Sequence, residues 1–506
     1  MKLKMGFNDA YKNWRNPVRK FNPESIVRLC MQMLQRPAAN RLEEIKHAPW
    51  QVMLLVKWVC QDRMQDQGVG KRISIEELNG LRQKLWEFPE QVDLGIRETL
   101  PPQLFFRQLL RAQIGFQRRF TPGFVREAAL LEQLPQSHQL RQLFEKKTGI
   151  GISEFLELCF ATYVTVLDGQ RRFNSAWFNS LGSTYSQNTI DAYLRCISRT
   201  YVELVAFCRN LPDADEKFAS EFFQFPALSR YPFLRSGELL ECWHPMVFYR
   251  GMEGFVHSVM SEAGQDYMNL FSAQFEKHVL CEAQKLPVPF LSESSLRSLM
   301  PDGAKVPDGL LCYSNCNVFI EAKAGMFDES TMTVGHTAMF SHKTRALRQA
   351  TSQAWSASVS LRKEGRAPAS MLNAEKDYLL IVTNKELSAT RGTTLAAMYP
   401  VGTLAVPSLD SGSRLSLENI YVLSIEDFER LVNGTDAIGR DLPTLLADCV
   451  AADKLPETAV FYFEQHLDRL RIGRRYSDLV HKAIERVAVK LENSLGRESV
   501  QQAKNR

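Results

Sequence analysis

The sequence predicts an α/β domain set between a large all-helical region and a short helical tail. Three observations predict it. Through about the first 250 residues, apolar side chains recur at spacings of three and four, the period of a helix face. Beyond that point short apolar runs alternate with helical stretches, as strands and helices do in a mixed α/β sheet. Tyr378-Leu379-Leu380-Ile381-Val382-Thr383 is the plainest such run, and it suits a strand buried on both faces. From about Leu442 the helical period returns. The boundaries expected are 1–250 for a helical accessory or recognition domain, 251–435 for the α/β domain and 436–506 for the helical tail.

Taken in order, Pro23 to Gln35, Ile73 to Trp86, Pro102 to Ile114, Ser153 to Leu167 and Asn188 to Phe207 each read as amphipathic helices. Ser74-Ile75-Glu76-Glu77 has the spacing of a capping box. Pro226 and Pro232 mark a connection. Gly251 to Lys285 reads as one or two helices with Met268, Phe271, Phe275 and Val279 on one stripe and Glu276 at its edge. Strands are expected at Asp308 to Tyr313 and Asn317 to Ala324, a helix at Thr344 to Leu361, and strands at Tyr378 to Thr383 and Asn419 to Leu423. A capped helix then runs to about Val432. In the tail, Val480, Ile484, Val487 and Leu491 make one apolar face, suited to packing on another domain or a partner.

The chain has 506 residues, 45% of them apolar and 24% charged, enough for more than one core. Its net charge of +5 permits a nucleic-acid partner without requiring one. Ten scattered cysteines suit reduced, buried thiols, and no apolar run approaches the roughly 20 residues of a membrane span. A cytoplasmic protein with no membrane contact is expected.

The chemistry concentrates in Val306-Pro307-Asp308-Gly309-Leu310 and Val318-Phe319-Ile320-Glu321-Ala322-Lys323. Glu321 and Lys323 are two apart, so on a strand they share a face. If Ser314-Asn315 is a two-residue turn, Tyr313 pairs with Cys316, Leu310 with Phe319, and Asp308 lies opposite Glu321. Cross-strand neighbours are about 5 Å apart, close enough for two carboxylates to share one cation. Asp308, Glu321 and the Ala322 carbonyl then make an oxygen site for magnesium. Lys323 would orient or deprotonate the attacking water, and Glu276 would reach the same metal or a second one. Gln349 and Gln353, four apart on the next helix, share a face. Gln349 is the favoured of the two, being nearer the helix start.

These residues resemble the PD-(D/E)XK nuclease superfamily: Phe275-Glu276 on a helix, Pro307-Asp308 on one strand, Glu321-Ala322-Lys323 on the next, glutamines on the helix after. The resemblance covers about 251–435 and implies a restriction-endonuclease-like mixed sheet flanked by helices. It implies a magnesium- or manganese-dependent endonuclease with Asp308, Glu321, Lys323, Glu276 and Gln349 as site residues. DNA is the expected substrate ahead of RNA, and defence against foreign DNA would fit. A homodimer, or a protein partner through the helical regions, stays open. The alternative is a nuclease fold that binds nucleic acid or protein without turnover.

Other motifs carry less. Cys312 and Cys316 have the spacing of a metal pair, but the same hairpin puts them on opposite faces. Gly68-Val69-Gly70-Lys71 falls short of a phosphate loop, because Gln65 stands where a glycine is needed and Arg72 where Ser or Thr is. Basic clusters lie at Lys343, Arg345 and Arg348, at Arg362, Lys363 and Arg366, and at Arg469, Arg471, Arg474 and Arg475. The first flanks the expected site and suits phosphate contact.

Overall fold

The structure is a computed structural model. It describes residues 6–36, 48–63, 70–92, 101–117, 122–182, 184–325, 327–363, 371, 374–404 and 413–495. Over the described residues the chain is mixed α/β, with two small sheets and helices around them. It divides into two compact units. One comprises Met1–Glu98, Gln108–Glu262 and Lys482–Arg506; the other comprises Thr99–Arg107 and Ala263–His481.

The first unit is mainly helical. Its helices include Pro23–Leu34, Pro49–Gln61, Ile75–Gln91 and Ile152–Leu167. Ser74 caps the third of these, its hydroxyl accepting from Glu77 N–H at 3.3 Å while the Glu77 carboxylate accepts from Ser74 N–H at 3.0 Å. Trp58 is 1% exposed, and Tyr11, Trp14, Phe88 and Phe222 surround it at ring separations of 5.1 to 6.0 Å. Aromatic edges meeting faces stabilise such a cluster beyond the area they bury.

This unit is not all-helical as the sequence predicts. It holds a four-stranded sheet of order β1-β4-β3-β2, with β1 Arg172–Asn174, β2 Ser198–Thr200, β3 Phe233–Ser236 and β4 Leu239–Cys242. Strands of three or four residues are too short to display an alternating pattern. The helix expected from Asn188 to Phe207 is in fact two, Gln187–Ile197 and Tyr201–Arg209, separated by β2. Thr200 starts the second, with Glu203 accepting from its N–H at 2.8 Å. That Thr-x-x-Glu capping box was legible, and an unbroken apolar period hid it.

The second unit is built on a five-stranded sheet of order β5-β6-β7-β8-β9: β5 Phe290–Ser292, β6 Gly309–Cys312, β7 Cys316–Lys323, β8 Lys376–Thr383 and β9 Ile420–Ser424. The first three run antiparallel; β7, β8 and β9 run parallel. The Arg345–Lys363 helix makes the crossover between β7 and β8. Its Leu347, Ala350, Ala354 and Leu361 pack into one apolar cluster with Leu310, Phe319, Leu379, Ile381, Ile420 and Val422, which share one face of the sheet. The Gln265–Ala283 helix covers the opposite face. A side chain added at Gly309 would meet its Leu280 at 3.2 Å. With both faces covered, β7, β8 and β9 read as continuous apolar runs.

At the start of the parallel strands lies a buried polar network. Asp377 is fully buried; Arg362 donates to it at 2.7 and 2.9 Å, and Asn317 at 2.9 Å. Arg362 is therefore a structural cation and not part of a phosphate-binding surface.

Among the described residues, no single helix is long and apolar enough to cross a membrane. One bent pair, Gln139–Thr148 and Ile152–Leu167, passes by length and composition, and most of its apolar side chains are buried within the first unit.

Candidate active site

The β6–β7 hairpin has the register that the two-residue turn requires. Leu310 pairs with Phe319 and Gly309 with Ile320, and Tyr313 N–H donates to the Cys316 carbonyl at 3.0 Å. One step further along, Asp308 meets Glu321. Asp308 N–H donates to Glu321 Oε2 at 3.3 Å, and Ala322 N–H donates to Asp308 Oδ2 at 2.7 Å. Lys323 Nζ donates to Glu321 Oε1. Pro307 leads into this strand end and has no N–H to leave unpaired.

Burial sets the electrostatics. Glu321 is 1% exposed. Burial, helped by the neighbouring Asp308, pushes its carboxyl up to about 7, with Lys323 opposing. Burial also raises Asp308, against the pull of the Ala322 N–H and Lys323. Two carboxylates held this way repel each other and are short of water, a state that a cation relieves.

Glu276 lies half-buried on the Gln265–Ala283 helix. Its carboxyl is raised first by burial, then by Asp308 and Glu293, so it belongs to the same acidic group. Glu293 was not expected. It opens the Glu293–Ser298 helix directly after β5, whose Ser292 pairs with Gly309. Strand β5 has three residues and left no pattern that would have pointed to it.

Of the two glutamines, Gln353 is at the site. Its Nε2 stands 3.5 Å from the Val306 carbonyl, beside Pro307-Asp308. Gln349, the one favoured from position along the helix, is exposed. Gln353→Ala should lower the melting temperature by a few degrees and Gln349→Ala should leave it unchanged, measured by thermal denaturation. Equal effects would rule out this assignment.

The donor set suits a hard cation. Strand residues point N–H and C=O to the same side, so the Ala322 carbonyl faces the side where its N–H meets Asp308. With the Asp308 and Glu321 carboxylates, that makes an all-oxygen set of the kind magnesium prefers. Among the described residues, no three His, Cys, Asp or Glu side chains form a metal-holding group; the backbone carbonyl is part of what would complete this one.

Cys312 and Cys316 are buried thiols, and Cys312 lies within the apolar cluster. Lys343 reaches Asp328 at 3.5 Å and also bonds Ser330. Lys71 pairs with Glu77 across the start of its helix. Gln65, Gly68, Val69 and Arg366 lie outside the described residues. Compared with protein-family models, curated proteins and solved structures, the chain matches none.

Proposed function

We propose that this chain is a divalent-cation-dependent nuclease of the PD-(D/E)XK type, acting foremost as a DNA endonuclease, with defence against foreign DNA as a fitting role. The carrying observation is the β6–β7 register, which sets Asp308 against Glu321 with Lys323 two residues on. The order of elements supports the restriction-endonuclease-like core: a helix bearing Glu276, an antiparallel hairpin bearing the acids, then a helix bearing Gln353 and a parallel strand.

Asp308, Glu321 and the Ala322 carbonyl would hold magnesium or manganese. When bound, the ion supplies a Lewis acid for the phosphate and an acidified water. Lys323 carries three donors and no acceptor. Its ammonium would hydrogen-bond the scissile phosphate or the attacking water. Gln353, holding the Val306 carbonyl, steadies the backbone before Asp308.

A second reading, a nuclease fold that binds without turnover, draws on one observation. Lys323 bonds Glu321 and the Ala322 N–H bonds Asp308, so the polar groups partly satisfy one another. The test is incubation of purified protein with plasmid, single-stranded DNA and total RNA, each with magnesium and with chelator. Magnesium-dependent cleavage of DNA is expected. No cleavage of any substrate, in protein that melts cooperatively, would leave the binding reading in possession.

A further inference from the structure

The helical unit gathers positive charge where β2 and β3 meet the ends of two helices. Tyr231 is the centre. The Arg199 guanidinium lies 3.6 Å from its ring centroid and that of Arg230 lies 4.5 Å away. Phe207 supports the ring edge-on at 5.0 Å. Arg230 also lies over Phe255 at 4.7 Å. Arg195 reaches within 3.8 Å of where a side chain on Gly149 would stand, two residues beyond Lys147. Arg235 sits beside them on β3, paired with Thr200 of β2.

These guanidiniums hold carbonyls. Arg199 donates to the Ser198 carbonyl at 2.8 Å and to that of Arg195. Arg230 donates to the Cys196 carbonyl at 3.2 Å. Among the described residues, Arg195, Arg199 and Arg230 have no carboxylate within ion-pair distance. Several other arginines of the same unit are matched with acids, Arg19 with Asp62, Arg28 with Glu24 and Arg172 with Glu241, while Arg141 and Arg171 hold carbonyls. The nearby acids are already engaged. Glu203 caps its helix through Thr200 at 2.8 and 2.9 Å, with Arg235 at 4.0 Å, and Glu262 pairs with Lys147 at 2.9 Å. Among the described residues, Glu262 pairs with Lys147 and Glu203 with Arg235, and no carboxylate pairs with Arg195, Arg199 or Arg230.

Like charges brought together without counterions destabilise a fold unless an anion answers them. Stacking on Tyr231 and bonding to carbonyls fix the guanidiniums in advance, which lowers the ordering cost of binding. We propose that Arg195, Arg199 and Arg230 form a binding site for the phosphodiester backbone of a nucleic acid, by which the helical unit grips the substrate. This deepens the nuclease reading and rests on it for the identity of the anion.

The test measures binding by fluorescence anisotropy in chelator, using the full chain carrying Asp308→Asn so that nothing is cut. The probe is one labelled oligonucleotide sequence, as single-stranded DNA, as duplex and as RNA. The three forms separate the sources of the phosphate. Arg195→Gln with Arg199→Gln should weaken binding about tenfold and reduce the salt slope by about two. Arg28→Gln with Arg172→Gln removes the same net charge from paired arginines and should change binding little. An equal loss in both pairs, or no loss in the first, overturns the site, as does absence of binding by the parent chain at low salt. If the first pair does not fold, the exposed Arg195→Gln alone should give about half the slope change. Cleavage by the wild-type chain with magnesium is read separately. Cutting without dependence on the cluster sinks this site alone; cluster-dependent binding without cutting sinks the nuclease reading alone.

Discussion

Lys323→Ala and Asp308→Asn should each lower magnesium-dependent cleavage about 10³-fold or more, the scale seen when one preorganised charge-stabilising group is lost. Rates on a single plasmid substrate, with saturating magnesium, measure it. The two variants differ in a second readout. Asp308→Asn removes one of two carboxylates that repel each other across the hairpin, so its melting temperature in chelator should match or exceed that of the wild type. Lys323→Ala takes a cationic hydrogen-bond donor from buried Glu321. It should melt lower at neutral pH, because it leaves a buried charge uncompensated. Full activity in either variant would remove the residue from the mechanism.

Glu321→Gln should change how stability depends on pH. The Glu321 carboxyl stands at about 7 in the folded chain against an ordinary 4.5. Below about 4.5 both folded and unfolded chains hold the proton. Between about 4.5 and 7 the unfolded chain releases it first while the folded chain keeps it. Stability therefore falls as pH rises through this window and levels off above it. Asp308, also raised, adds in the same direction. In chelator the glutamine variant should gain on the wild type from pH 5 to pH 7.5, by several degrees in melting temperature. Magnesium added at the upper pH should raise the wild type and not the variant. Parallel curves for the two proteins across this range would mean that Glu321 is not a strained carboxylate.

Much of this centre was legible because strands have an integer period. A two-residue turn at Ser314-Asn315 leaves one pairing, and that pairing carried Asp308 to Glu321 across five further residue pairs. Helices gave less. Gln349 and Gln353 share a stripe, and sequence had no measure of how far the Arg345–Lys363 helix runs before passing the strand end; the later glutamine is the one that does so. Glu293 was hidden because the strand before it, β5, has three residues. The sheet of the first unit was hidden for the same reason. Arg362 looked like one of a row of surface cations. Its partner Asp377 lies 15 positions on, in a run otherwise apolar, and pattern alone does not join them.

That Arg362–Asp377 pair has a consequence for the acidic face four residues away along β7. Asn317 is matched with Asp377 across the parallel strands, and Glu321 with Ile381 in the same ladder. A slip of one residue would turn every side chain of β7 over. The apolar run would tolerate it, since Val318, Phe319 and Ile320 are buried on either side. The polar ladder would not, because Asn317 would leave a fully buried carboxylate short of a donor. The misaligned sheet is thus penalised at the far end of β7, and chains that pass this check carry Glu321, like Phe319, on the face that the Arg345–Lys363 helix covers.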